Sequence, residues 1–138
     1  MQIFKDNKGR EWVVEITVST INRIKDLTGV NILETDAIKT LGGDILQLVN
    51  VLYAIVQPQA MKDGITDEQF GEALGGDSID AASEAFMTEY VGFFPRRKRS
   101  LLQTALDKQR EIEGRAMDAI KAKLDKAVEL QLEQLLAD

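Results

Sequence analysis

The spacing of hydrophobic positions changes several times along the chain, and each change marks a boundary between elements. Ile3-Phe4, a polar stretch at Asp6-Asn7-Lys8-Gly9-Arg10 and the run Trp12-Val13-Val14-Glu15-Ile16 predict a β-hairpin, with Asn7 to Gly9 supplying the positive φ of a tight turn. A lone hairpin is marginal in water, so it must lie on helices or pair with another strand. Apolar spacing then shifts to three and four. Ser19 or Thr20 is placed to cap a short helix through Ile21, Ile24 and Leu27, stopped by Gly29. Val30 to Leu33 reads as a third short extended piece, and Asp36 to Leu41 as one loose helical turn.

After Gly42-Gly43, Asp44 is the expected cap of a strongly apolar helix. Ile45, Leu48, Val49, Leu52 and Val56 form one stripe, and Leu46, Val51 and Ile55 fill much of the other side. A helix apolar nearly all round belongs at the centre of a core, and Pro58 is expected to close it. Thr66-Asp67-Glu68-Gln69 is a capping-box pattern opening a short helix with Phe70 and Leu74. Gly75-Gly76-Asp77 is expected to end that helix and cap the next, which carries Ile79, Ala82, Phe86, Tyr90 and Phe93 and stops at Phe94-Pro95. Leu41-Gly-Gly-Asp and Leu74-Gly-Gly-Asp are one helix-start device used twice, since the likeness ends within a few residues.

Beyond Pro95 there is no further proline, and Lys, Glu, Gln, Leu and Ala dominate, all strong helix formers. A helix from Ser100 onward would be about 58 Å long at 1.5 Å per residue. Gly114 is the one candidate for a bend. Leu102, Ala105, Gln109, Ile112, Ala116 and Ala119 follow coiled-coil spacing, after which the stripe moves to Ile120, Leu124, Val128, Leu132 and Leu135 or Leu136. The move fits a stutter or a straight 3.6-residue pattern. Such a helix either folds back on its own domain or docks a partner through its last turns. The expected class is therefore α+β, mainly α: an N-terminal β-hairpin packed on a helical bundle (residues 1–95), then a long C-terminal amphipathic helix (96–138).

Composition narrows the chemistry. The 138 residues contain neither cysteine nor histidine. Disulfides, Ser-His or Cys-His nucleophile pairs, an imidazole base and the usual zinc sites are all excluded. Carboxylates, lysines and hydroxyls leave an enzyme few options, and no catalytic, cofactor-binding or metal-binding residue is assigned. The opening Met1-Gln2-Ile3-Phe4-Lys5-Asp6 has no apolar run for a signal peptide, and Ile45 to Val56 is too short to span a bilayer. A cytoplasmic protein without a membrane partner is expected.

Charge is uneven within the net −6. Residues 63–95 hold eight acidic and no basic side chains, followed by Arg96-Arg97-Lys98-Arg99. This basic knot could contact a nucleic-acid backbone, but a net negative chain with one short cluster favours pairing with protein acids or an interface role for Arg96 and Arg97. Neither Asp63-Gly64-Ile65-Thr66-Asp67 nor Asp77-Ser78-Ile79-Asp80 has EF-hand spacing, so these acids are expected to cap helices and face solvent. The double glycines lack the Gly-Lys-Ser/Thr of a phosphate loop. Trp12 and Tyr53 are assigned to the core.

The run Gly64-Ile-Thr-Asp-Glu-Gln-Phe-Gly-Glu-Ala-Leu-Gly-Gly-Asp-Ser-Ile-Asp-Ala-Ala leads into Glu84-Ala-Phe and ends at Phe93-Phe94-Pro95-Arg96-Arg97. With the opening Phe4-Lys-Asp-Asn-Lys-Gly-Arg-Glu-Trp12, it resembles small proteins of the tail modules of tailed bacteriophages and prophages, of the tail assembly chaperone kind. The resemblance implies a non-enzymatic factor in the cytoplasm of a bacterial host. Such a factor binds the tape-measure protein, recruits tail-tube subunits and is a possible homo-oligomer. It carries no binding residue across. The partner-binding candidates come instead from the residues themselves: Arg96, Arg97, Ile120, Leu124, Val128, Leu132, Leu135 and Leu136. The rival readings are a structural component of the virion (tail or connector), a DNA-binding regulator acting through Arg96 to Arg99, and an enzyme using carboxylates alone.

Overall fold

A computed structural model describes residues 1–137. The chain is α+β and mainly helical, with element order β1 (Gln2–Lys5), β2 (Glu11–Val14), α1 (Val18–Thr28), α2 (Thr35–Gly43), α3 (Ile45–Lys62), α4 (Asp67–Glu72), α5 (Asp77–Phe93) and α6 (Arg96–Ala137). By contact it divides into two units, Met1–Pro95 and the segment from Arg96 onward.

The hairpin pairs antiparallel, with Phe4 opposite Trp12 and Gln2 opposite Val14. Period-two alternation sends Phe4, Trp12 and Val14 inward, while Ile3 and Val13 stay exposed. Its turn is organised by Asp6. One carboxylate oxygen accepts from the Lys8 and Arg10 amides at 2.9 and 3.0 Å, and the other from Arg10 Nε at 2.8 Å and Trp12 Nε1 at 3.0 Å. Burial works to raise the Asp6 pKa, but these four donors outweigh it and hold it below the usual carboxylate value. Gly9 at φ +79° takes the left-handed position that lets the chain reverse.

The hairpin answers its edge problem without a third strand. Gln59 of α3 donates to Glu11 O at 2.7 Å and accepts from Val13 N at 3.2 Å, so one side-chain amide stands in for a neighbouring strand. The expected extended piece at Val30 to Leu33 is instead a turn. Asn31 Oδ1 accepts from Leu33 N at 3.0 Å, a local bond that competes with strand pairing, and the fully buried Ile32 anchors it.

Helix boundaries follow caps. The α1 cap is Thr17, not Ser19 or Thr20: its hydroxyl accepts from Thr20 N at 3.2 Å, while Thr20 turns its own hydroxyl to Glu15 O. The loose turn expected at Asp36 to Leu41 is a nine-residue helix. Asp44 caps α3 through Gln47 N at 3.1 Å, and the capping box at Thr66 and Gln69 is complete. Asp77 does not cap α5. Gly76 holds that position at φ +58°, and the buried Ser78 hydroxyl bonds Gly75 N and O at 2.9 and 3.0 Å.

Pro58 does not end α3, which continues to Lys62. A proline inside a helix removes the donor to the carbonyl four residues back, here Ala54, and costs about 3 kcal/mol. Arg23 of α1 supplies the missing donor through Nε to Ala54 O at 2.7 Å, and its Nη2 adds a second bond to Ile55 O at 2.8 Å. A charged fork on a neighbouring helix thus takes the role the backbone gave up, and α1 is locked to α3 by the same bonds.

The core has two aromatic clusters. Phe70 of α4 is fully buried and meets Trp12 edge-on at 5.0 Å, with Phe4 and Tyr53 at 6.5 and 5.7 Å. On α5, Tyr90 stacks on Phe86 at 6.0 Å and meets Phe94 edge-on at 5.0 Å. Leu48, Val51, Leu52, Ile55 and Val56 of α3 are buried, as its composition requires. Its first turn departs from that expectation, with Ile45 and Leu46 exposed.

Candidate interaction surface

α6 runs unbroken for 42 residues, straight through Gly114, and would span about 63 Å at 1.5 Å per residue. Nothing in its sequence stops it: past Pro95, which precedes its first residue, it contains no proline, and good helix formers fill it. Intrahelical pairs four residues apart add support, among them Gln103 with Asp107 at 2.9 Å and an Arg115–Glu111 ion pair.

No residue of α6 is buried, although it carries many large apolar side chains. Ile120, Leu124, Val128, Leu132, Leu135 and Leu136 are all more than half exposed. At about 100° per residue, Leu124, Val128 and Leu135 lie within about 80° of Ile120 around the helix axis. Leu132 sits on the flank of that line. Leu136 falls roughly 100° past Leu135, so of the two alternatives Leu135 belongs to the stripe.

An unbroken helix also allows one period from end to end. Leu102, Leu106, Gln109, Glu113, Met117, Ile120, Leu124, Val128, Gln131 and Leu135 advance by 4, 3, 4, 4, 3, 4, 4, 3 and 4. That is an 11-residue repeat, about 3.67 residues per turn, so the stripe runs almost parallel to the axis of a straight helix. Beside the heptad seam expected over residues 102–119, this straighter line takes in Leu106 and Met117, which the 3,4 spacing passed over. Met117 is 66% exposed, as open as the named candidates. Two polar seats in the stripe satisfy each other, Gln109 Nε2 donating to Glu113 Oε1 at 3.4 Å.

Arg96 and Arg97 occupy the first turn of α6 and are exposed, as are Lys98 and Arg99. Four cations at a helix N-terminus oppose its dipole, so local helix energetics do not explain them.

Elsewhere the surface offers less. A shallow groove beside α3 is lined by Leu27, Leu46, Tyr53 and the amides of Gln47, Asn50 and Gln57. Its acids already have structural work, Asp44 as the α3 cap and Asp67 in the first turn of α4. Among the described residues no group of three or more His, Cys, Asp or Glu could hold a metal ion. No single described helix is long and apolar enough to cross a membrane; α2 and α3 approach that only together, bent by 113°. No protein-family model, curated protein or solved structure matches this chain.

Proposed function

We propose that the chain is a non-catalytic protein-binding factor that uses α6 to hold helical client segments. The observation that carries this reading is a 42-residue helix with no buried residue and a stripe that is apolar at seven of its ten positions. An amphipathic helix gains by covering such a face with another apolar helical face. The exposed large side chains amount to roughly 1.5–3 kcal/mol each if fully covered, before the costs of association.

The sequence resemblance at Gly64 to Arg97 gives the client its class. Tape-measure proteins are long and helical, and a small acidic factor with an open apolar helix would keep such segments soluble during tail assembly. Tail-tube subunits are the second partner on this reading, and the host cytoplasm is the place of action. Arg96 and Arg97 would add charge contacts at the start of the docking helix.

Co-expression with a tape-measure fragment, followed by affinity capture, tests this directly. Full-length protein is expected to retain the fragment in the soluble fraction, and a chain lacking residues 121–138 to lose it. Equal retention by both would remove α6's last turns as the docking element. Recovery of the protein from purified particles would favour the virion-component reading instead.

A further inference from the structure

We propose that, in the absence of a client, α6 pairs antiparallel with α6 of a second copy of this chain along the 11-residue stripe. This rests on reading α6 as an interaction element and names the stripe's resting occupant.

The stripe is self-complementary. A two-fold interface requires that whenever residue i meets j, j also meets i. The stripe's steps, 4, 3, 4, 4, 3, 4, 4, 3, 4, read the same in both directions. Two antiparallel copies in full overlap therefore bring seat against seat along the whole length, Leu102 against Leu135 and Met117 against Ile120. A shift by one residue would break that correspondence; shifts by 11 residues keep it, but only full overlap uses all ten seats. In this register the polar seats Gln109, Glu113 and Gln131 lie opposite Val128, Leu124 and Leu106, which weakens the seam and leaves the pair displaceable by a client.

Charge supplies the orientation. Residues 96–116 carry seven basic and three acidic side chains, and residues 117–137 three basic and four acidic. A parallel pair would set the two Arg96–Arg99 clusters side by side at one end. Antiparallel pairing sends them to opposite ends and lays the positive half of each helix along the negative half of the other.

Area is sufficient. The stripe runs over 34 residues, Leu102 to Leu135, about 50 Å. With a contact width of roughly 10 Å it covers on the order of 500 Å² per chain, which brings the pair to the ~1,000 Å² that a specific interface should clear. A client helix presenting a comparable face would displace the second copy, so the factor's own stripe stays covered until cargo arrives.

Light scattering on the full chain alone tests the pairing, with Ile120→Lys/Leu124→Lys as the disrupting variant. The expected mass is twice 15.4 kDa, falling to 15.4 kDa in the variant, whose Trp12 fluorescence stays native because the changes lie outside Met1–Pro95. Orientation is read by disulfide trapping, free of background because the chain has no cysteine. Leu102→Cys mixed with Leu135→Cys is expected to cross-link, and neither variant with itself. A single-chain mass at high concentration, or a dimer that survives the double variant, overturns the proposal. Self-trapping of Leu102→Cys overturns the antiparallel arrangement. Client capture by a protein that stays monomeric would leave the binding function standing without the pairing. A dimer that ignores every client would do the reverse.

Discussion

The first 95 residues and α6 solve the same problem, an excess of apolar side chains, in opposite ways. In the first unit, Trp12, Phe70 and Phe86 are fully covered, and polar groups are spent on closing gaps: Asp6 on the hairpin turn, Arg23 on the carbonyls beside Pro58, Gln59 on the free edge of β2. In α6 one set of apolar residues falls on a line and others, such as Ile112 and Leu130, lie off it, yet none of them is buried. The first pattern describes a domain whose stability is its own. The second describes a surface whose stabilisation depends on what covers it.

The two regions should respond very differently to the loss of one apolar side chain. Trp12→Ala should lower the unfolding free energy by about 3–5 kcal/mol, the range for losing a large buried aromatic. Loss of the Asp6 acceptor's partner adds to this. Chemical denaturation followed by far-UV circular dichroism reads the effect; a change below 1 kcal/mol would mean that the Trp12–Phe70 contact does not organise the core.

Next in size is the Arg23 fork. Arg23→Met should cost about 1–3 kcal/mol, because two helix carbonyls lose charged donors. Pro58→Ala restores the backbone donor to Ala54, so the same Arg23→Met change should cost less in that background. Equal costs in both backgrounds would show that Arg23 and Pro58 are not coupled.

Asp6 gives a pH signature. Its folded pKa lies below the ordinary 3.8, so its contribution is fully present above that value and is lost as pH falls through the folded pKa. Asp6→Asn should therefore destabilise at neutral pH by about 1–3 kcal/mol and flatten the acid limb of stability below pH 4. An unchanged acid limb would contradict the four-donor account of the turn.

The smallest effect is expected in α6. Leu124→Ala should change the unfolding of Met1–Pro95 by no more than about 0.5 kcal/mol, as a solvent-exposed substitution does. The same change should weaken client binding. Comparable losses in both measurements would erase the distinction between the regions.

Much of this was legible in the sequence where local chemistry decides. The hairpin, the Asp44 cap, the capping box at Thr66, the central α3 and the long last helix all follow from short-range rules of periodicity and capping. The failures are mostly of another kind. Pro58 is a sound stop signal until Arg23, 31 residues away from Ala54, reaches across to replace the lost donor. Gln59 looks like an ordinary helix residue until it meets β2. Such partnerships are long-range and leave no local mark. The stripe on α6 was legible as two segments meeting at Ala119, joined by a stutter or by a straight 3.6-residue pattern. An 11-residue repeat joins Leu102 to Leu135 without interruption. The six apolar candidates all proved exposed, with Leu132 on the flank and Leu136 off the line.

Amide hydrogen exchange on the full chain, at a dilution where it is a single copy, tests most directly the claim that α6 depends on a partner. The account predicts that α3 amides exchange only through global unfolding, while α6 amides from Ile112 to Leu136 exchange orders of magnitude faster and gain protection when a helical client is added. Protection of α6 equal to that of α3 in the dilute, client-free chain would contradict it.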